Sequence, residues 1–154
     1  MTIFVSCSFD PLTKGIADWV QATFVANGID AYISGQAEAK SLPESIREKI
    51  RSCEAMVTII TDRYSAWVQN EIGIAYDAGR PIYALIQEGV PVEGILQHIT
   101  IYRRFNPFNP QTLVQPVNEV VHNIQLTRKQ AATAAMVGLG LFLLLMLGMG
   151  ASGK

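Results

Sequence analysis

The chain has 154 residues, 49% of them hydrophobic and 16% charged, which leaves room for one compact domain and little else. A formal charge of −1 gives no electrostatic footprint for nucleic acid or for a strongly acidic partner. Two cysteines, Cys7 and Cys53, without a CxxC pair or a Cys/His cluster, argue against a disulfide scaffold and a structural metal site and fit a reducing compartment.

The opening MTIFVSCSFD lacks the basic start and apolar run of a signal peptide. Ile3–Cys7 is short, β-rich and nearly all apolar, the pattern of a strand covered on both faces. The polar turn SFDPLT leads into a helical pattern of Ile16, Trp19, Val20 and Phe24, with Trp19 expected in the core, and Asn27-Gly28 ends it. Ile29–Ile33 reads as a second strand, followed by the loop SGQAEAK. Ser41 and Glu44 have the S-x-x-E spacing of a capping box, ahead of a helix with Ile46, Ile50 and Cys53 on one face. Ala55–Thr61 is a third buried strand, and Ser65 stands where it would cap the next helix, which ends at Ala78-Gly79. Pro81–Ile86 and Ile99–Phe105 read as strands four and five. Leu113, Val117, Val120, Val121 and Ile124 mark a last amphipathic helix.

From Ala131 to Gly153 the sequence AATAAMVGLGLFLLLMLGMGASG carries no charge and has the length, roughly 20 residues, of a bilayer-crossing helix. A domain this small has no second layer in which to bury a helix that is apolar on all sides. Arg128 and Lys129 precede the apolar run and Lys154 follows it, so the positive-inside rule favours a cytoplasmic placement for what precedes. The expected organisation is a domain over 1–127 and a transmembrane tail anchor over 131–153. Gly138, Gly140, Gly148 and Gly150, with Ala134, give the small-xxx-small spacing that lets helices approach closely.

Strands alternating with helices imply an α/β fold with a parallel sheet covered on both faces. Five strands point to the flavodoxin-like order 2-1-3-4-5, with the switch point beyond the carboxyl ends of strands one and three. The loops there are Ser8–Thr13 and Thr61–Ser65, and the second opens onto the helix carrying Glu71. Trp67, Glu71, Ala75 and Ala78 follow one stripe of that helix, and Val68, Ile72 and Ala75 the adjoining stripe that faces the sheet. Glu71 is therefore expected at the border of the apolar face, partly buried, with a raised pKa unless it is paired. The plain alternative is a surface glutamate paired with Arg63 or Arg80.

The segments IFVSCSFDPLTKGIADWVQATFVANGIDAYIS and AKSLPESIREKIRSCEAMVTIITDRYSAWVQNEIGIAYDAGRPIYAL resemble a TIR (Toll/interleukin-1 receptor) domain of the prokaryotic type. The likeness runs from residue 3 to about 105. Its most specific pieces are IFVS, Ser41-Leu42 before the second helix, and TIITDRYSAWVQNEI, which carries the family's W-x-x-x-E helix start. The resemblance implies a flavodoxin-like fold. For members that are enzymes it implies that the W-x-x-x-E glutamate, here Glu71, is catalytic in cleaving the nicotinamide–ribose bond of NAD, a substrate rather than a cofactor. Loss of nicotinamide builds oxocarbenium character on the ribose, which a carboxylate stabilises while holding the ribose hydroxyls. The resemblance places the substrate among Ser6, Cys7, Ser8 and Phe9 after strand one, Ser34, Gly35, Lys40 and Ser41 after strand two, and Trp67 beside Glu71. Hydrolysing members often carry an aromatic–basic pair where this chain has Cys7-Ser8; Phe9 and Lys14 are the candidates to supply such groups.

Many TIR domains act without catalysis, as adaptors that assemble through their loops. EIGIAYDAGRPIYAL also resembles the E-x-G-x-A-x-x-x-G-K-P segment of nucleoside deoxyribosyltransferases, whose glutamate attacks deoxyribose, although RYSAW replaces the small pair before their helix. Trp67 is open to two roles, stacking on a base or anchoring its helix. Cys7, without a paired His, is a weak nucleophile candidate. His98 and His122 lack metal-ligand spacing, and Arg103-Arg104 reads as a solvated pair. The resulting expectation is a membrane-anchored, cytoplasm-facing TIR-like protein that hydrolyses or cyclises NAD in signalling or defence. It forms homo-oligomers through TIR and transmembrane contacts and takes no nucleic acid.

Overall fold

The computed structural model describes residues 2–34 and 42–150. The chain forms two compact units, Met1–Val120 and Val121–Lys154. In the first, five parallel strands, β1 (Thr2–Cys7), β2 (Asp30–Ile33), β3 (Ala55–Ile60), β4 (Ile82–Gln87) and β5 (Ile101–Phe105), lie in the order β2-β1-β3-β4-β5. Helices α1 (Pro11–Ala26), α2 (Glu44–Ser52) and α3 (Ala66–Asp77) alternate with them, a 3-10 turn (Gly94–His98) precedes β5, and α4 (Gln111–Gly150) follows it. This is the flavodoxin-like order expected from the alternation of apolar runs.

Side chains alternate across a strand, so each strand serves two layers. Phe4, Met56, Ile60, Ile82, Ala84 and Ile86 meet Ile46, Ile50, Val68 and Ile72 in one apolar cluster under α2 and α3. Ser6 and Thr58 stand two residues beyond Phe4 and Met56 and are register partners, so their hydroxyls share that face. Helix α1 packs on β1, β2 and β3 through Ile16, Ala17, Val20 and Phe24. Trp19 is not in that core: it is 39% exposed. At about 100° per residue it falls outside the arc that Thr13, Ile16, Ala17, Val20 and Phe24 bury.

The helix ends follow local chemistry. Asp10 caps α1, accepting from Thr13 N at 3.1 Å, with Pro11 at the first helical position. Gly28 (φ 72°) and Gly79 (φ 67°) take the left-handed conformation that closes α1 and α3, with Ile29 N donating to Phe24 O and Arg80 N to Ala75 O. The capping-box expectation for α2 is corrected. Pro43 disfavours helix at Leu42, so α2 starts after it and Glu44 is the first residue, bonded to Arg51 at 3.0 Å; Ser41 lies outside the described residues. Ser65 does occupy the cap position of α3, but its side chain makes no capping bond. Arg103 and Arg104 are also not merely solvated: the first pairs with Glu119 at 2.7 Å and the second donates to the carbonyls of Gln87 and Val90.

The second unit lies largely in α4, which runs without a break through Arg128 and Lys129. From Ala131 to Leu147 every residue is exposed, including Leu139, Leu141, Phe142 and Leu143. Among the described residues this is the one helix long and apolar enough to cross a membrane.

Candidate active site around Glu71

Helix α3 is only weakly amphipathic. Val68, Ile72 and Ala75 are fully buried, as the stripe argument requires. Glu71 departs from it: its exposure is 0%, not the partial burial expected at the border of the apolar face. The reason lies in the sheet beneath. Where the rest of this face presents apolar groups, β1 and β3 present Ser6 and Thr58, and Ser34 follows β2. Short hydroxyl side chains leave room for a carboxyl and supply donors to it.

Ser6 Oγ donates to Glu71 Oε2. Trp67 Nε1, one helical turn earlier, donates to Glu71 Oε1 at 2.8 Å. Ser34 Oγ lies close enough to favour the charged form of the carboxyl, yet falls short of hydrogen-bonding geometry. Thr58 Oγ1 is also buried with no partner among the described residues. Neither Arg63 nor Arg80 pairs with Glu71, and no cation among the described residues offsets its charge. Burial pushes the Glu71 carboxyl up to about 7, against the pull of Ser6, Trp67 and Ser34. At neutral pH both protonation states are therefore populated. Cys7 belongs to the opposite face of β1; burial first, and then the charge of Glu71, push its thiol up to about 12, which leaves it inert.

The structure thus brings Ser6, Ser34, Trp67 and Glu71 together. Ser8 sits close by in the chain, its Oγ accepting from Ser65 N at 3.1 Å and tying the loop after β1 to the start of α3. Phe9 is half-buried in that loop. Gly35, Lys40 and Ser41 lie outside the described residues. Lys14 pairs with Asp18 on the next turn of α1 rather than supplying a basic group to Glu71. His98 stacks on Tyr76, with ring centroids 4.2 Å apart, and His122 is exposed. Trp67 packs against the core and also bonds the carboxylate, so its anchoring role joins a donor role that sequence reasoning did not assign. Thr58 was missed as well. Its signal was a hydroxyl between Met56 and Ile60, at a position where alternation calls for an apolar side chain.

Ser6 stands near the carboxyl end of β1, Ser34 follows that of β2, and α3 leaves that of β3, so the carboxylate lies beside the topological switch point. An open parallel sheet in this order, with helices on both faces, defines an α/β domain of flavodoxin-like architecture. The chain belongs to the TIR domain family, whose model matches residues 3–114. Among solved structures it is similar to a flavodoxin-like domain from Synechococcus, with a TM-score of 0.61 at 14% identity, over 82% of this chain and 99% of that one. It is similar to the CMP N-glycosidase BcmB of Clostridium botulinum, with a TM-score of 0.54 at 14% identity, over 77% and 98%. The TIR domains of the activated Roq1 resistosome, which recognises the pathogen effector XopQ, match with a TM-score of 0.50 at 12% identity, over 80% and 82%. At these identities the likeness concerns the fold. No curated protein matches the chain.

Proposed function

We propose that this TIR domain cleaves the N-glycosidic bond between nicotinamide and ribose in NAD or a related nucleotide, with Glu71 as the catalytic carboxylate. The observation that carries this reading is the carboxyl itself, buried without a cation, held on both oxygens, at the end of the sheet where such folds take ligands. In the reaction the C1′–N bond breaks and its electron pair leaves on nicotinamide. The ribosyl cation faces the Glu71 carboxylate and is captured by water, which releases a proton and gives ADP-ribose. Capture by a nucleophile of the same nucleotide gives a cyclic product instead. Ser8, Phe9, Ser34 and Trp67 contact the substrate, with Gly35, Lys40 and Ser41 contributing from the segment after β2. Since Glu71 has no exposed surface, substrate reaches it through a change at Trp67, its half-buried partner.

Family membership supports a role in signalling or defence. The apolar segment over 131–153 anchors the domain over 1–127 to the cytoplasmic face of a membrane as a single pass. Confinement there concentrates the domains and favours homo-oligomers through TIR and helix contacts. A non-enzymatic adaptor is the second reading, and the complete burial of Glu71 is the observation that favours it.

The test is NAD consumption by the full chain reconstituted in liposomes at increasing density, beside Glu71→Ala. Release of nicotinamide that the substitution abolishes supports the enzyme. Intact fold and verified clustering without turnover support the adaptor. Base exchange on deoxynucleosides with NAD untouched would favour a deoxyribosyltransferase-like reaction.

A further inference from the structure

Glu71 is the one ionisable carboxyl among the buried polar side chains described, and its two oxygens are held by donors of different kinds. The indole Nε1–H of Trp67 can only donate, so Oε1 faces a donor in every protonation state. The hydroxyl of Ser6 both donates and accepts and rotates to suit its partner. When Glu71 is ionised, Ser6 donates to Oε2; when Glu71 is neutral, Oε2 carries the proton and Ser6 accepts it. The surroundings leave this pair undisturbed. On the same sheet face β3 and β4 present no ionisable group, and α2 turns Ile46 and Ile50 inward. Cys7 lies on the other face of β1, and the phenols of Tyr32 and Tyr64 border the apolar cluster. No charged side chain among the described residues contributes to the ionisation of Glu71.

We propose that Ser6 is a positioning residue for Glu71: its hydroxyl confines the carboxyl proton to Oε2 and stabilises the anion once that proton leaves, while Trp67 keeps Oε1 free of a proton. A charge-assisted bond is stronger than its neutral counterpart, so Ser6 favours the anion on balance. This deepens the proposed reaction by naming the group that keeps the carboxylate charged, but its primary readout is the ionisation of Glu71, which does not depend on turnover.

The experiment follows the protonated-carboxyl infrared band of the full chain in liposomes, assigned to Glu71 by its loss in Glu71→Gln. In the unsubstituted protein the band is expected to fade as pH rises through about 7. Ser6→Ala removes the hydroxyl; Ser6→Cys fills its place with a somewhat larger group that offers only a weak donor. Both are expected to move the midpoint upward by about one unit, a tenfold weaker ionisation. Any nicotinamide-releasing activity should shift its pH profile in the same direction. A folded Ser6→Ala with an unmoved midpoint overturns the proposal. So does Ser6→Cys that titrates like the unsubstituted protein, because packing rather than hydrogen bonding would then be the cause. If Ser6→Ala does not fold, Ser6→Cys decides alone. A shifted midpoint without NAD cleavage sinks the proposed reaction and leaves the role of Ser6 standing; cleavage with an unmoved midpoint does the reverse.

Discussion

Helix α3 hides a carboxylate at 0% exposure, whereas from Ala131 onward α4 exposes leucine after leucine. Each departs from the ordinary surface helix, with apolar groups inside and charges outside, but in opposite directions. Both departures are unfavourable in water. A charge taken from water without a counter-ion carries a desolvation cost, and exposed apolar area costs roughly 25 cal/mol per Å². In α3 the compensation is local, through Ser6 from the sheet and Trp67 one turn earlier in the same helix. In the apolar part of α4 the described structure supplies none, and that helix has the length and composition to cross a membrane. The contrast teaches that a side chain out of its ordinary place is understood from what surrounds it: donors meet the buried carboxyl, while nothing among the described residues covers the apolar helix, as the proposed lipid anchor requires.

The comparison breaks most sharply at Glu71. Glu71→Ala is expected to reduce NAD cleavage roughly 10³-fold or more, as loss of the main charge-stabilising group does, read as nicotinamide release from liposome-bound protein. Unchanged turnover would make the buried carboxylate structural.

Glu71 also sets a pH dependence of stability. Its folded-state pKa of about 7 lies above the 4.5 of an unburied glutamate. Below pH 4.5 both states are protonated and the group is neutral in effect; between 4.5 and 7 only the unfolded state ionises, so stability falls as pH rises, and above 7 the loss is complete. Glu71→Gln should therefore gain stability over the parent by about 3 kcal/mol between those limits, measured by denaturant unfolding at pH 4 and pH 8. A gap that stays flat with pH would remove the charge from the interior.

For α4 the matching substitution is Phe142→Arg, near the centre of the uncharged run. It should disfavour insertion by about 3 kcal/mol and move the protein from the carbonate-resistant membrane fraction to the soluble one. If fractionation did not change, the lipid side of the comparison would fall. The smallest effect serves as baseline, in a helix that follows the ordinary rule. Asp10→Ala removes the cap of α1 and should cost about 1 kcal/mol, seen as a modest drop in unfolding midpoint.

Much of the molecule was legible before folding was considered. The apolar runs and their breakers located five strands and the helices between them, and the right-handed crossover rule then left one sheet order to expect. Gly28 and Gly79 marked helix ends correctly because the left-handed conformation is a local property. The uncharged stretch from Ala131 declared itself for the same reason: composition over one helix needs no knowledge of neighbours. W-x-x-x-E drew attention to Glu71, and i, i+4 spacing put Trp67 beside it.

What tertiary structure decided depends on which element lies over which. Helical periodicity set Glu71 at the border of a face, but how far that border is covered is determined by β1 and the end of β2, which lie 65 and 37 positions earlier. The same holds for Trp19, whose exposure follows from where α1 rests on the sheet, and for the start of α2, where Pro43 overrode a capping pattern. The sequence by itself determined the elements, their order and the presence of an odd carboxylate, because these follow from short-range sterics and hydropathy. Only the fold determined that the carboxylate is enclosed, uncompensated by a cation and held between a serine and an indole, because burial and pKa arise from groups that meet only once the sheet has formed.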